Sequence, residues 1–197
     1  MALLNFIKPD KIRLQKADDF EGLFEFKPLE PGFGQTIGNS LRRILLSSLE
    51  GYAISAVRIG GVDHEFATIK GVVEDVVDII LNLKQVRLKP LLTDHEGGED
   101  KIYLTISGKS EFVAGDIETY NNMFKVMNPD LHICSLDASV GLELELTVTK
   151  GRGYVPADEN LPKDAPIGVI PIDAIYTPIK KVAYKVESTR VEQRTDY

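Results

Sequence analysis

The stretch "VGLELELTVTK" strongly restricts its own local structure. Leu142, Leu144, Leu146 and Val148 alternate with Glu143, Glu145 and Thr147. Successive side chains of a strand point to opposite faces, so the spacing predicts a half-buried strand with one apolar and one solvated face. The same period of two recurs elsewhere. "KIRLQK" alternates Ile12 and Leu14 with basic residues, and "EGLFEFKPLE" sets Leu23, Glu25 and Lys27 against Phe24 and Phe26. Two short strands are expected in "LEGYAISAVRIGGVDHEFATI", around Gly60 and Gly61. "KIYLTISG" and "EFVAGDI" read as a hairpin, "LHICSLD" as a short strand, and "PADENLPKDAP" as a polar loop before apolar strands near the C-terminus.

Two helices break this pattern. The first is expected from about Gln35 to Leu49, after a turn made by Pro28, Pro31, Gly32 and Gly34. At about 100° per residue, Phe33, Ile37, Leu41, Ile44 and Leu45 fall on one side, while Asn39, Arg43 and Leu46 share a sector of the other. The second is expected to start near Gly71, with Val73, Val76, Val77, Ile80 and Leu83 at helical spacing. Glu74 and Asp75 would sit in its first turn and Lys84 in its last, as the helix dipole favours. Few helices among many strands give an α+β class.

With 197 residues, the chain can bury roughly 70% of its unfolded surface. No apolar run reaches the length of a membrane span. "MALLNFIKPDK" lacks the basic and apolar regions of a secretory signal. With Cys134 the sole cysteine, no internal disulfide is possible, and a reducing cytoplasm is the expected compartment. The net charge of −7 argues against a whole-surface field that attracts nucleic acid.

"EPGFGQTIGNSLRRILLSS" has the look of a phosphate-binding loop until its spacing is counted. Gly32 and Gly34 fit a dinucleotide fingerprint, but Gly38 comes one position late, and no lysine of a Walker loop is present. The plain reading makes Gly32 and Gly34 a turn needing positive φ, and Gly38 a place where another helix backbone comes close. "HEFAT" begins like a zinc-protease helix, but Thr68 stands at the second histidine position. His132 and Cys134 share a strand face and read as a structural pair. No catalytic residue, metal ligand or cofactor site is assigned. What remains is the odd pair Arg43 and Leu46 on the helix's second side. Leu46 is either an ordinary surface leucine or, beside an arginine, an interface anchor.

"LEPGFGQTIGNSLRRILLSSLEGYAI" and "GVDHEFATIKGVVEDVVDIILNLKQV" closely resemble the bacterial RNA polymerase alpha subunit family. "KGRGYVPA", "PIDAIYTPIKKVAYKVE" and "STRVEQRTDY" do so too, in the family's order and spacing. The resemblance runs from about Lys8 to Tyr197. It implies a strand-plus-helix dimerization subdomain, residues 1–50 and 177–197, with an inserted, mostly antiparallel, β-rich α+β subdomain at 51–176. It also implies a homodimer that nucleates transcription-enzyme assembly, one copy receiving the beta subunit and the other beta prime, with no catalytic residues and no cofactor of its own. Arg43, Leu46 and Lys84 would meet beta. The segment Pro166 to Pro178, with Ile167, Val169, Ile172 and Tyr176, would meet beta prime. Phe33, Ile37, Leu41 and Ile44 would face the partner alpha helix. Family members continue past "VEQRTDY" with a strand, a long helix and a separate DNA- and activator-binding domain, so no direct DNA binding is expected of residues 1–197. The alternative is a small phosphate-ligand enzyme using Gly32 to Gly38. A nucleic-acid module using "KGRGY" with Arg42 and Arg43 is a third reading.

Overall fold

The computed structural model describes residue 9 and residues 11–92, 98–160 and 165–189. The chain divides into two compact units, one of residues up to Leu45 with those from Lys181 onward, the other Leu46–Lys180.

In the first unit, β1 (Lys11–Ala17) and β2 (Gly22–Lys27) form an antiparallel hairpin. Asp18 makes the turn: its carboxylate accepts the Phe20 and Glu21 N–H groups at 3.0 and 2.7 Å, the local bonding that suits Asp to turns. Ile12 pairs with Phe26 and Leu14 with Phe24, so one face of the hairpin is apolar. Helix α1 follows at Phe33–Ser47, starting and ending two residues earlier than expected. It begins after Gly32, whose φ of +84° is open to glycine at little cost. None of the described residues of this unit is buried.

The second unit is built on an antiparallel sheet. Its central strands are β3 (Glu50–Ile59) and β9 (Leu142–Arg152). Numbered in chain order, the others are β4 (Leu88–Pro90), β5 (Glu99–Ile106), β7 (Phe124–Val126) and β11 (Val169–Pro171). The order is β5-β9-β3-β4-β7, with β11 also on β3. Leu142, Leu144, Leu146 and Val148 are all buried, as their alternation requires. They pack with Ile102, Leu104 and Ile106 of β5, and with Val76, Ile79 and Leu83 of helix α2 (Val76–Leu83). Tyr52 and Phe124 meet in the same core, ring centroids 5.2 Å apart.

Several expectations need correction. β5 does not form a hairpin with "EFVAGDI": it pairs with β9, its three isoleucine and leucine side chains lying opposite those of β9. β6 (Glu111–Val113) pairs instead with β8 (His132–Ser135), and the chain then turns into a 3₁₀ helix at Ala114–Tyr120. "EGYAISAVRI" is one ten-residue strand, and "DHEFATI" is held by turn hydrogen bonds (Ala67 N–H to His64 O, Val72 N–H to Ile69 O) rather than by a ladder. Helix α2 starts at Val76, not near Gly71. Asp75 is its N-cap, its side chain accepting the Asp78 N–H at 2.8 Å, which satisfies an orphan donor of the first turn. Lys84 is its C-cap. The polar loop opens with a short helix, α3 (Ala157–Asn160); residues 161–164 lie outside the described residues. Of the C-terminal strands, β11 and β12 (Ala174–Ile175) form, β12 pairing with β10 (Tyr154–Val155). The described residues from Tyr176 to Thr189 hold no regular strand.

Candidate functional site

The glycine loop is filled rather than open. Gly34 and Gly38 both lie inside α1, so only Gly32 serves the turn. A Cβ on Gly34 would sit 2.8 Å from a Val186 methyl, and one on Gly38 would sit 2.7 Å from Cε2 of Tyr184. What comes close to Gly38 is thus a tyrosine ring, not another helix backbone. The Tyr184 hydroxyl donates to Gln35 Oε1 at 3.0 Å. The helix face on which a phosphate cradle would have to open is covered by the chain's own 184–186 segment.

This splits the apolar side of α1. By helical angle, Leu41 and Leu45 share the edge with Gly34 and Gly38. Phe33, Ile37 and Ile44 form the other edge, where Phe33 is 40% and Ile44 51% exposed. Arg43 and Leu46 project from the opposite side; Arg43 is exposed and Leu46 half-buried. Helix α1 therefore presents two distinct faces.

"KGRGY" is explained by packing. Gly51 and Gly151 face each other across β3 and β9, and the Tyr176 ring lies over the gap. A Cβ on Gly151 would stand 2.5–2.7 Å from three ring atoms, and one on Gly51 would fall on the Tyr176 carbonyl oxygen. The Tyr176 hydroxyl and Thr149 Oγ1 are 2.8 Å apart, and its N–H donates to Gly153 O at 2.9 Å. Gly153 itself has φ +62°. The basic residues are spoken for: Arg152 and Lys150 reach the two oxygens of Glu50 at 2.6 and 3.0 Å, and Arg152 first, then Lys150, holds that carboxyl below its usual range. Isolated glycines inside strand patterns were the readable signal for this slot.

Lys84 joins several elements. Its ammonium lies 2.6 Å from Asp173 Oδ2 and 5.7 Å from the centroid of the Tyr154 ring, within reach of a cation–π contact. The other Asp173 oxygen accepts the Ala157 N–H at 2.9 Å. Lys84, then the Ala157 N–H, holds the Asp173 carboxyl below its ordinary value. Asp173 and Tyr154 were not singled out from the sequence; their partners are about 70 to 90 residues away or on another strand, so no local pattern marks them. In the 166–178 segment, Ile167 is 87% exposed and Val169 half-buried, whereas Ile172 and Tyr176 are buried. Those two hold the segment onto the sheet from inside, and Ile167 and Val169 are the members of the set that remain accessible.

His132 does not partner Cys134. It sits between two carboxylates, Nδ1 2.7 Å from Glu111 Oε1 and Nε2 2.9 Å from Glu74 Oε1. Both raise its pKa, Glu74 more. Glu74 also accepts from the Ser135 N–H and hydroxyl; burial pushes its carboxyl up, but Ser135 and His132 together bring it below its ordinary value. Cys134 is fully buried, and burial, then the Glu74 charge, pushes its thiol up to about 12. His64 lies in the turn-rich stretch before α2, and His95 falls outside the described residues. Among the described residues no group of three or more His, Cys, Asp and Glu is placed to hold a metal ion, and no helix is long and apolar enough to cross a membrane.

The RNA polymerase Rpb3/RpoA insert domain matches residues 57–177. The chain belongs to this family. It is also 57% identical over all 197 residues to the DNA-directed RNA polymerase subunit alpha of Flavobacterium psychrophilum and to that of Cytophaga hutchinsonii, and 53% identical to that of Porphyromonas gingivalis. In each case it spans 59% of the relative's length. The phosphate-ligand enzyme reading finds no counterpart in these relatives or in the filled glycine loop.

Proposed function

We propose that this chain is a non-catalytic assembly scaffold of a bacterial RNA polymerase, a cytoplasmic transcription enzyme. Residues 1–50 and 177–197 serve as its dimerization subdomain and 51–176 as the inserted subdomain. Two copies pair through the open edge of α1, Phe33, Ile37 and Ile44, with Leu41 on the edge beside the 184–186 segment. One copy then receives beta at Arg43, Leu46 and Lys84, and the other receives beta prime at the 166–178 segment, through Ile167 and Val169. No direct DNA binding is expected of these residues.

The observation that carries this reading is the first unit, which carries apolar side chains without burying any described residue. Ile12, Leu14 and Phe24 of the hairpin and Phe33 and Ile44 of α1 are all exposed. Exposed apolar side chains scattered singly are ordinary, but a run of them on adjoining strands and a helix marks a surface that another chain covers. The opposite side of α1, an arginine beside a leucine, suits a second contact, because a guanidinium binds as a planar, permanently charged donor.

Capture of purified beta by the full chain tests this. Arg43→Ala should weaken capture about 30-fold, a hot-spot loss of about 2 kcal/mol, and a thermal melt of the variant separates a lost contact from a lost fold. Wild-type capture by the variant would count against the assignment.

A further inference from the structure

We propose that the outward face of the β4–β7 ladder, centred on Arg87, Lys89 and Lys125, is a docking surface for an acidic, extended protein segment. The segment would carry two carboxylates and an apolar residue at alternate positions. None of the three cations belongs to the subunit contacts proposed above.

Alternation fixes the face. Leu88 of β4 and Phe124 and Val126 of β7 are buried in the core, so Arg87, Lys89 and Lys125 point to the other side. Lys89 and Lys125 stand directly opposite each other in the ladder, and both are exposed. Like charges so placed have Cβ atoms about 4.5–5.5 Å apart and destabilise the strand pair. Arg87 is half-buried. Its guanidinium donates to the Ile175 carbonyl at 3.0 Å, and burial lowers its pKa from the ordinary value. No carboxylate among the described residues pairs with any of the three, although the chain holds 30 acidic residues against 23 basic ones. By contrast, Lys84, Lys101, Lys150 and Arg152 each have one. Two opposed lysines beside a desolvated arginine are a cost that packing does not explain. Carboxylates laid across them would offset it.

The ladder runs one residue further at each end. The Met127 N–H donates to the Arg87 carbonyl and the Leu91 N–H to the Met123 carbonyl, both at 2.8 Å. Met127 and Leu91 therefore share the outward side, and they are 54% and 56% exposed. The face passes from arginine beside methionine, through the lysine pair, to leucine. Its start is held by Asn128, which accepts the Arg87 N–H at 2.8 Å and donates to the Gln85 carbonyl at 3.0 Å. Its free edge is closed. The Phe124 N–H donates to Asn121 Oδ1 at 2.7 Å and the Val126 N–H to Glu118 Oε1 at 2.6 Å. With those donors taken, a partner lies across the side chains instead of adding a strand to β7.

Charge and spacing name the occupant. The outward positions 87, 89 and 91 repeat every two residues, about 6.8 Å. An extended peptide has the same repeat, so carboxylates two residues apart reach Arg87 and the lysine pair, and the next such position falls on Leu91. A nucleic-acid backbone would bring charge but leave Leu91 and Met127 without an apolar partner, and the chain's net charge of −7 opposes it.

The test titrates the full chain, at about 50 mM salt, with a labelled peptide whose core is glutamate-serine-glutamate-serine-leucine. The same peptide with glutamine for both glutamates, and a single-stranded DNA oligomer, are run beside it. Lys89→Glu and Lys125→Glu should each raise Kd about tenfold or more. Lys70→Glu, the same charge change on the loop before α2, should stay within about twofold of wild type. Each single reversal at the ladder turns a repelling pair into an attracting one, so both variants should melt no lower than wild type, which separates lost binding from lost fold. No saturable binding by wild type up to about 1 mM peptide would overturn the proposal. So would equal Kd values for Lys70→Glu and the two ladder variants, or equal binding of the glutamine peptide. Tighter binding of the DNA than of the acidic peptide would replace the occupant with nucleic acid and refute the assignment. A lower melt of both ladder variants would refute the like-charge cost on which the surface rests.

Discussion

Gly151→Ala should be destabilising for a reason that a second substitution can remove. The added methyl would lie 2.5–2.7 Å from Cε2, Cζ and Cδ2 of Tyr176, where carbon atoms prefer about 3.5–4.0 Å. The ring would have to slide by about 1 Å. It is tethered at both ends, by the 2.8 Å contact with Thr149 Oγ1 and by the Tyr176 N–H bond to Gly153 O at 2.9 Å. Overpacking of this kind costs about 1–3 kcal/mol. Replacing glycine inside a strand returns about 0.5–1 kcal/mol through the unfolded chain. The net is about 1–2 kcal/mol of lost stability. With the ring removed by Tyr176→Ala, only the favourable part survives, and Gly151→Ala becomes mildly stabilising. The cycle therefore has a coupling energy of about 2 kcal/mol and a change of sign. Urea titrations of the four proteins measure it through the midpoint at constant m. Gly51→Ala is the internal control: its methyl falls on the Tyr176 carbonyl oxygen, which Tyr176→Ala leaves in place, so that cost should not be relieved. Equal effects of Gly151→Ala in both backgrounds would refute the slot, and with it the idea that Tyr176 anchors the 166–178 segment from inside.

The remaining expectations are quicker to check. The His132 clip should make stability depend on pH. The raised His132 value means its contribution is complete below the ordinary 6.5 and is lost as pH rises through the folded value; the lowered Glu74 value means its contribution is complete above the ordinary 4.5 and is lost as pH falls. The stability difference between wild type and His132→Ala should then be largest between those two values and shrink on the alkaline side, and a difference that is flat from pH 5.5 to about 9 would contradict it. Cys134, buried with its thiol pushed up to about 12, should resist alkylation in the native chain and label fully in urea; rapid native labelling would show the β6–β8 region opening freely.

The strand of alternating leucines was legible because its period of two is set by the chain itself, and Leu142 to Val148 are buried as the alternation requires. The two faces of α1 were legible for the same reason at a period of 3.6. Pairing was not. Which strand β5 joins depends on side chains about 40 residues away, and "KIYLTISG" carries no mark of Leu142 to Leu146. The start of α2 was misplaced because Val73 keeps helical spacing, while Asp75 as cap and Glu74 as ligand of Ser135 make the helix begin later than periodicity suggests. Gly38 was read as a close approach, correctly in kind, but nothing local named Tyr184. The proposed contacts at Arg43, Leu46 and Lys84 rest on family resemblance joined to one odd helix sector, and Asp173, which holds Lys84, was invisible from its own neighbourhood.

Hydrogen exchange on the full chain, alone and with beta bound, is the most direct test of the scaffold account. Amides of α1 around Arg43 to Ser47 and of α2 around Leu81 to Lys84 should exchange more slowly in the complex, because a partner that covers a helix face suppresses its local opening. Bound beta with no slowing in either helix, or slowing confined to other parts of the chain, would contradict it.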